Sequence, residues 1–460
     1  MEKKHKNGWD YIKISGTPWE RGKQHGQLLA ERICESIDNQ AKIMYLETGM
    51  DWEYFRSNAV KLWGQKICTQ DYKEYYEEMD GIAHGIQSVM DRLISWEDIL
   101  TWNAFEELVD YWFPTVAQDA YRDMTRDGNN KIPHNAMTGK HFMTGSPDRC
   151  SAFIATGSYT KNGKIVVAHN SFVPFEMASP MNVIIDLTTE KGERLVMQSQ
   201  PGMIHSMSDF YISSKGLVIT ETTIGGFCAY DANGIPEFIR IRKAAQEAES
   251  LEEFCSIFWE GNTGGYSCTW LVGDIKKQEI MQYEAGCKFY NCQILDDGYF
   301  VGFNAPQDVR IRNFECSNTG YTDIRRHQGA RQVRLPQLME QYKGQIDAEI
   351  AQSILADHYD VYLGKDNNPC SRTVCSHYEL DPREYMSQPG RPVPFRPQGA
   401  IDGKVTTSEM AENMQLLARF GSSCGRAFDA DAFFKAHPQF DYLKEFIESR
   451  PTQPWTNFPD

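Results

Sequence analysis

Cys150 is the residue whose position points most directly to chemistry, because it stands at the head of a predicted strand. The strand reads Cys-Ser-Ala-Phe-Ile-Ala-Thr, and a glycine turn leads from it to a second strand that carries His169 and Asn170. A thiol attacks a carbonyl carbon when a base takes its proton, and a residue's own α-amine can act as that base. An α-amine has a pKa of about 7.7–8.0 and a thiol one of about 8.5, so the proton can pass between them near neutrality. The pattern predicts a cysteine nucleophile that is also an N-terminal residue.

A free α-amine on Cys150 exists only if the peptide bond between Arg149 and Cys150 is cut. The preceding stretch, residues 114–149, loses all periodicity and is rich in Asp, Asn, Gly and Pro. A polar stretch of this length inside a compact protein is usually functional or disordered. We therefore predict a precursor that is cleaved before Cys150. The opposing interpretation is that Cys150 is one of twelve cysteines and packs as a small apolar side chain.

Several polar residues beside apolar strands or glycine turns are candidate partners of this cysteine. His169 and Asn170 are predicted to orient the substrate or the α-amine, although adjacent side chains of a strand point to opposite faces and at most one can face the thiol. Some of the other candidates are expected to serve only as caps or turn formers. The predicted substrate-binding residues of this kind are Asp209, Glu221 and Asn262, and Asn304 is predicted to steady an oxyanion.

The elements before Cys150 are predicted to be helical. The first helix begins at Thr17-Pro-Trp-Glu, where Thr is the N-cap, Pro takes the first position and Glu completes a capping box. Gly22 and Gly26 of that helix are four residues apart, which predicts the close approach of another element. Residues 1–149 are accordingly interpreted as a helical N-terminal segment with a polar linker over 114–149.

After Cys150 the spacing of apolar residues changes to the alternation that is typical of strands, and tight turns join these strands. Strands are predicted over about 151–222 and 266–303, and helices over about 236–260 and 325–358. The Pro-rich remainder is predicted to be a loop-rich extension that ends in short helices. Antiparallel strands flanked by helices favour a layered α+β sandwich, with 150–460 as the catalytic domain.

Two motifs in the C-terminal part of the chain suggest an alternative nucleophile and a metal site. Gly421-Ser-Ser-Cys-Gly425 matches the Gly-x-Ser-x-Gly nucleophile elbow, with Asp429 and His437 in the required order. No buried strand is predicted to lead into it, so it is disfavoured. Cys370-x4-Cys375-x-His377 could supply three metal ligands, but a local disulfide or packed thiols are favoured, and neither a metal nor an organic cofactor is predicted.

The composition excludes several classes of protein. A net charge of −16 argues against capture by nucleic acid or by anionic lipid. No apolar run reaches the roughly 18–20 residues of a spanning helix. The first residues are charged, and no apolar region follows them as in a signal peptide, so we expect a cytoplasmic protein, or a periplasmic or secreted one whose signal peptide has been removed.

The ordered motifs carry a resemblance to a known family. The N-terminal Gly16-Thr-Pro-Trp-Glu-Arg-Gly22 with His25-Gly26 is similar to the acyl-coenzyme A:6-aminopenicillanic acid acyltransferase group. The remaining motifs resemble the phospholipase B-like proteins: Cys-Ser-Ala-Phe at 150–153, Val-Ala-His-Asn at 167–170, Gln-Pro-Gly at 200–202, Ser-Asp-Phe-Tyr-Ile at 208–212, Thr-Glu-Thr-Thr-Ile at 220–224, Gly-Gly-Tyr-Ser-Cys-Thr-Trp at 264–270, Asn-Pro-Cys at 368–370 and Asp-Gly-Lys-Val at 402–405.

This resemblance implies a four-layer αββα N-terminal-nucleophile fold and autocatalytic cleavage before the cysteine, with both fragments retained in one molecule. It also implies hydrolysis or transfer at an amide or ester of an acyl chain, without a cofactor. The implied partners are a small acylated substrate, either an N-acyl amide or a lipid, and the chain's own cleaved N-terminal fragment.

The chain departs from the family pattern at two positions. Phe172 stands where many relatives carry Trp, and it is predicted to contribute to substrate binding. Cys268 stands near a position where relatives commonly place an Asn whose amide is an oxyanion donor, and a thiol is a poor donor. Either Asn262, Asn304 or a backbone N–H at Cys268 would then donate to the oxyanion, or the enzyme would be slower or differently tuned.

Three functions are compatible with these residues. The favoured one is an autoprocessing amidohydrolase in which Cys150 forms a thioester with the acyl group. The second is a lipase that acts on phospholipid esters, and the third is a non-catalytic binding protein on the same fold, for which the departure at Cys268 is the argument.

Overall fold

The computed structural model describes residues 1–126, 149–317, 319–381, 385–388, 391–394 and 397–459. Twelve α-helices lie within these residues, and three π-helical turns interrupt or extend them at Val60–Gly64, Glu107–Trp112 and Ile311–Glu315. The helices are α1 (Pro18–Thr48), α2 (Trp52–Ala59), α3 (Gln65–Ile67), α4 (Lys73–Gln87), α5 (Trp96–Asn103), α6 (Phe113–Arg126), α7 (Glu237–Glu247), α8 (Leu251–Trp259), α9 (His327–Gln341), α10 (Ala348–Leu355), α11 (Ser408–Glu412) and α12 (Ala430–Ala436).

The described strands form two large sheets and a separate hairpin. One sheet has nine strands in the order β1-β2-β5-β6-β7-β8-β9-β10-β11, and the other runs β12-β3-β4-β16-β17-β18 with β15 added to β4. The strands are β1 (Glu2–Lys6), β2 (Trp9–Gly16), β3 (Cys150–Thr156), β4 (Val166–Pro174), β5 (Val183–Thr189), β6 (Arg194–Ser199), β7 (Phe210–Ser213), β8 (Leu217–Thr223), β9 (Cys268–Asp274), β10 (Glu279–Ala285), β11 (Tyr290–Leu295), β12 (Gly298–Gly302), β13 (Tyr385–Gln388), β14 (Arg391–Pro394), β15 (Gln398–Ala400), β16 (Asp402–Thr407), β17 (Leu416–Phe420) and β18 (Thr456–Phe458).

The two large sheets pack face to face, and helices cover their outer faces. Alternate residues such as Ile154 of β3 and Val218 of β8 build the core between the sheets. Their neighbours point outwards, because successive side chains of a strand lie on opposite faces. Phe153 thus packs against α9 and α10, and Ile219 packs under the helices of the nine-stranded sheet. The layers run helix, sheet, sheet, helix, which confirms the predicted α+β sandwich of four layers.

The first helix begins as the sequence predicts. Thr17 is its N-cap and forms the capping box with Glu20, and Pro18 is the first helical residue. Gly22 and Gly26 lie against the backbone carbonyls of Glu78 and Ile82 in α4, where a Cβ atom would collide with main chain. The predicted close approach is therefore confirmed, and α4 is the partner.

The N-terminal segment is not purely helical. Strands β1 and β2 precede α1, and β2 pairs in parallel with β5 inside the nine-stranded sheet. Residues 114–126, predicted to belong to a polar linker, are the greater part of helix α6. That part of the prediction is wrong because Phe113, Ala117 and neighbouring apolar residues bury one side of the helix. The rest of the predicted linker, up to residue 148, lies outside the described residues.

The C-terminal extension is also more regular than predicted. Strands β16 and β17 arise from the stretch interpreted as loops, and β16 lies directly beside β4 in the seven-stranded sheet. Helix α12 confirms a short helix near the end of the chain. Within the described residues, no helix is long and apolar enough to cross a membrane.

Candidate active site

Cys150 opens β3 with its thiol turned towards the nine-stranded sheet. It pairs with Ser171 of β4, and His169 lies two residues along the same face of that strand. Lys404 of β16 pairs with His169 from the other side. Cys150 itself is 2% exposed. The antiparallel register of three strands therefore places a thiol, an imidazole and an ammonium on one buried face.

The peptide bond before Cys150 is held at both of its ends. The carbonyl oxygen of Arg149 accepts a hydrogen bond of 2.5 Å from the backbone N–H of Phe172. The buried Arg149 guanidinium pairs with Glu106 and, at 3.0 Å, with Asp110. Both carboxylates lie next to or within the π-helical turn that follows α5. The predicted cleavage site is thus a fixed, buried bond rather than part of an exposed loop.

Asn304 and Arg331 hold the backbone of Cys150. The Cys150 N–H donates to Asn304 Oδ1 at 3.2 Å, and Arg331 donates to the Cys150 carbonyl oxygen at 2.5 Å and to Asn304 Oδ1 at 2.8 Å. The amide nitrogen of Asn304 donates to the Thr223 carbonyl at 2.7 Å. Asn304 adopts a positive φ of 64°, a conformation that asparagine tolerates better than most residues. Its side chain is positioned to hold the Cys150 nitrogen, and its N–H groups face Thr223 rather than the thiol.

Two carboxyl groups lie beside the thiol on the opposite sheet. The Cys150 thiol donates to Glu221 Oε1 at 3.7 Å, and Asp209 lies beside Glu221. Burial raises the pKa of Glu221 to about 7 and raises that of Asp209 well above its ordinary value. Near neutral pH this pair of carboxyl groups therefore retains a proton and can still accept another.

Burial, with the Glu221 carboxylate, raises the pKa of the Cys150 thiol well above its ordinary value, whereas Lys404 lowers it. Burial and the Lys404 ammonium hold the pKa of His169 well below its ordinary value. With the chain intact, the thiol is therefore protonated and the imidazole neutral. A base is needed before this sulfur can attack.

The thiol, the imidazole and Glu221 offer three ligand atoms within 4.8 Å of one another, a spacing that could hold a metal ion. The neighbouring Lys404 ammonium opposes a cation at this place. The same arrangement suits proton transfer, because it combines a nucleophile with a carboxylate that titrates near neutrality.

Lys404 and Asp402 form a fully buried ion pair under the site. The ammonium lies 2.7 Å from Asp402 and donates to Ser171 at 3.1 Å and Ser208 at 2.8 Å. Asp402 also accepts the backbone N–H of Ser171 at 2.8 Å. Every polar atom of the pair thus has a partner, as a buried pair requires if it is to be tolerated.

Asn170 and Phe172 point to the other face of β4, away from the thiol. Asn170 accepts the N–H of Ser151 and donates to the carbonyls of Leu355 and Val374, each at 3.2 Å. The Phe172 ring is buried under the Arg331 guanidinium, 4.8 Å from its centroid. These side chains hold β4 to the helical layer, so the predicted contact of either with substrate is not supported; the N–H of Phe172, not its ring, reaches the site.

Cys268 lies in the candidate site, whereas Asn262 lies in a turn outside it. Cys268 lies against Glu221, and its thiol donates to the Tyr266 carbonyl at 3.1 Å. Asn262 donates to the carbonyls of Gly286 and Cys287 at 2.8 and 3.0 Å and accepts the N–H of Gly264. Asn262 is a turn residue whose amide is occupied by the backbone, so the structure does not bring it to the thiol.

The competing serine motif does not assemble a triad. Ser423 donates to the Asp402 carbonyl at 3.1 Å, and Asp429 caps α12 by accepting the N–H of Ala432. The His437 ring packs on Phe433 with a centroid distance of 4.7 Å. These side chains make structural contacts, so the motif is not a triad, as the sequence predicted. The reason given from the sequence is wrong, however, because strand β17 leads directly into Gly421.

Sequence reasoning missed Arg331, Lys404 and Asp402. Arg331 lies in a helix with no distinguishing pattern around it, so no local signal could have identified it. Lys404 and Asp402 belong to the Asp-Gly-Lys-Val motif of the family resemblance, and a buried charge pair within that motif was the available signal.

Comparison with known proteins agrees with this resemblance. A family model described as Phospholipase B matches residues 19–454. The phospholipase B of Crotalus adamanteus is 27% identical over 300 residues, which cover 58% of this chain and 51% of that protein. The phospholipase B-like protein C of Dictyostelium discoideum is 22% identical over 473 residues, covering 90% and 78%. The alignment thus spans about half the length of the Crotalus relative.

Solved structures show a weak similarity in shape. The penicillin V acylase of Agrobacterium tumefaciens has a TM-score of 0.33 at 13% identity, over 58% of this chain and 82% of that one. A mutant of the conjugated bile acid hydrolase of Clostridium perfringens has a TM-score of 0.33 at 11% identity, over 59% and 89%.

The buried ion pair generates a first prediction. In a Cys150→Ala background, which lacks the candidate nucleophile, Lys404→Met should lower the free energy of unfolding by about 3–5 kcal/mol, because it leaves Asp402 as an unpaired buried carboxylate. Lys42→Met, which breaks an exposed pair with Glu445, should cost less than about 1 kcal/mol. Urea denaturation followed by tryptophan fluorescence measures both. Equal costs for the two variants would contradict the assignment of Lys404 as a structural partner of the site.

Proposed function

This chain belongs to the phospholipase B family, and we propose that it is a hydrolase that cleaves itself before Cys150 and then uses Cys150 to hydrolyse an acyl bond. The observation that carries the proposal is the set of contacts around one peptide bond. Its carbonyl oxygen is held by the Phe172 N–H, its nitrogen by Asn304, and the Cys150 thiol by Glu221.

Self-cleavage begins with proton transfer from the Cys150 thiol to Glu221. The sulfur attacks the carbonyl carbon of Arg149, and the N–H of Phe172 stabilises the negative charge that develops on the oxygen. The C–N bond breaks as the Cys150 nitrogen takes up the proton held by Glu221. Water then hydrolyses the resulting thioester, which leaves a carboxylate on Arg149 and a free thiol and α-amine on Cys150.

The new α-amine is the base of the mature enzyme. It is formed at the position where Asn304 Oδ1 already accepts the Cys150 N–H, and Arg331 holds the carbonyl of the same residue. The amine takes the thiol proton, the sulfur attacks the substrate carbonyl, and the amine passes the proton to the leaving group. The substrate oxygen takes the place of the Arg149 carbonyl oxygen, opposite the Phe172 N–H, because the same sulfur attacks both carbons.

The cleaved N-terminal fragment is proposed to remain bound. Strand β2 pairs with β5 across seven residue pairs, from Asp10 with Val183 to Gly16 with Thr189. These pairs join residues before the cleavage site to residues after it. Loss of the fragment would expose the edge of β5 and the core beneath α1.

The substrate is proposed to be an N-acyl amide. The α-amine is suited to protonate a leaving amine, which is a poor leaving group unless it is protonated. The second candidate is a phospholipid ester, which the names of the relatives favour. The net charge of −16 favours the amide, since an anionic lipid surface would repel the chain.

We expect purified wild-type protein to separate on denaturing electrophoresis into residues 1–149 and 150–460, which co-elute under native conditions. Cys150→Ala should remain one chain, because it lacks the attacking sulfur. Cys34→Ala, at another buried cysteine that lies in helix α1, is the matched control and should still cleave. A wild-type chain that is active while whole would contradict the proposal.

Glu221→Gln should slow cleavage about 10²–10⁴-fold, the usual contribution of a general base. The wild-type rate should rise with pH through about 7, since Glu221 accepts the thiol proton only when ionised and its pKa is raised to about 7. Glu284 also has its pKa raised to about 7 by burial but holds the N–H groups of Gln307 and Asp308 instead. Glu284→Gln should therefore keep the wild-type profile.

These rates can be followed by electrophoresis of chain freshly synthesised in a cell-free system at a series of pH values. An unchanged pH profile in Glu221→Gln would exclude Glu221 as the base.

A matched pair of substrates separates the two candidate reactions. The cleaved enzyme should release fatty acid from an N-acyl amino acid with a higher kcat/KM than from a phosphatidylcholine of the same acyl chain, and Cys150→Ala should release none from either. A preference for the phospholipid would establish the second candidate. Activity that persists in Cys150→Ala would contradict both.

A further inference from the structure

Two loops that the proposed reaction does not use meet on the far side of β4. The first follows α10 and carries His358, Cys375 and His377; the second follows β17 and carries Cys424. In the sequence they belong to separate motifs, the Cys-x4-Cys-x-His stretch and the Gly-x-Ser-x-Gly stretch. In the fold, one ligand atom from each of the four residues lies within 4.8 Å of the other three.

Two distances within this cluster are close to those of a tetrahedral site. His377 Nε2 lies 3.3 Å from Cys375 Sγ and 3.5 Å from Cys424 Sγ. Tetrahedral bonds of about 2.3 Å to sulfur and about 2.0–2.1 Å to nitrogen set the two ligand atoms about 3.6 Å apart. The rings of His358 and His377 meet edge to face with centroids 5.1 Å apart. Nε2 of His358 is buried and has no hydrogen-bond partner within the described part of the chain.

Glu379 fixes the orientation of the His377 ring. Its Nδ1 lies 2.7 Å from Glu379 Oε1, so an Nδ1–H donates to the carboxylate, and in this tautomer Nε2 directs its lone pair towards the two sulfurs. A carboxylate behind a histidine is the usual second partner of a metal-binding imidazole. The His377 ring is buried and Glu379 is largely so.

The first loop is held rigid independently of any ligand. Asp360 forms a buried ion pair with Arg372 at 2.5 Å, and the N–H of Cys375 donates to the Asp357 carbonyl at 3.1 Å. The N–H of Asn368 donates to the His358 carbonyl at 2.9 Å. The loop therefore presents its ligands from a fixed backbone.

We propose that His358, Cys375, His377 and Cys424 bind one zinc ion as a closed structural site. Two thiolates and two imidazoles in tetrahedral array are a donor set typical of Zn²⁺. Four protein ligands leave no open position for a substrate, which distinguishes this site from a catalytic one. The interpretation from sequence, which favoured packed thiols or a disulfide at Cys370 and Cys375, considered the first loop alone, and Cys370 is replaced as a ligand by Cys424.

The zinc would stabilise the proposed active site from the face of β3 and β4 opposite the Cys150 thiol. Val374, the residue before Cys375, accepts hydrogen bonds from Ser151 at 3.1 Å and from Asn170 at 3.2 Å. These two residues lie on β3 and β4 with their side chains on the face opposite the Cys150 thiol. A metal that links Cys424 to Cys375 therefore adds a cross-link behind β3 and β4, the strands that pair Cys150 with Ser171.

The test is the metal content of the full chain, made in zinc-containing medium and purified under reducing conditions without chelator. Wild type should hold about one zinc per chain, and Cys424→Ser and His377→Ala less than about a tenth of that, since each removes one of four ligands. Cys292→Ser is the matched control, because its thiol lies 4.0 Å from Cys255 in a pair outside the cluster. It should retain the wild-type zinc.

Cobalt replacement gives a readout that does not depend on the variants folding. Wild-type protein stripped of metal and loaded with Co²⁺ should show the intense visible bands of a tetrahedral ion together with thiolate-to-metal charge transfer. Wild type that lacks zinc and gives only the weak spectrum of octahedral cobalt would overturn the proposal. So would full zinc content in Cys424→Ser, or an intact mass and peptide map that show a Cys375–Cys424 disulfide in reduced, metal-replete protein.

Discussion

The buried ion pair of Lys404 with Asp402 is the interaction on which the candidate site depends. It places a positive charge beside a thiol and an imidazole, and this charge lowers the pKa of both groups. The pair itself is tolerated because Ser171 and Ser208 complete its hydrogen bonds. Polar chemistry can therefore exist in a layer that is otherwise filled by aliphatic and aromatic side chains.

The second constraint is the strand register around Cys150. On one face of β3 and β4 lie the groups that can move protons, and on the other lie Asn170, Phe172 and Arg331, which hold the strands to the helical layer. Arg331 lies in α9, on the helical side of the sheet, and donates to the backbone carbonyl of Cys150, whose thiol points to the other side. The proposed cleavage turns the backbone nitrogen of Cys150 into a base without moving it, because Asn304 already holds that nitrogen.

The sequence predicted the helices and strands that have a clear local signal, such as a capping box or an alternation of apolar and polar residues. Alternation identified strands such as β6 (Arg194–Ser199) at their observed ends, and the capping box identified the start of α1. Strands β16 and β17 were missed because Pro-rich surroundings and polar residues such as Asp402 and Lys404 hid their pairing with β4. Within the site, sequence identified Cys150 and the residues that meet it, Glu221 and His169. It could not say that the Asn262 amide is consumed by a turn, or that the ring of Phe172 faces away while its N–H faces the reacting bond, because these depend on contacts between distant segments.

The central claim is that Cys150, with a free α-amine, carries the acyl group during turnover. The direct measurement is peptide mapping by mass spectrometry of enzyme quenched with acid during turnover of an acyl substrate. The account predicts a peptide that begins at Cys150 and carries the acyl group on its sulfur, and hydroxylamine should remove that group. An acyl group on any other residue, or on Cys150 still joined to Arg149, would contradict it.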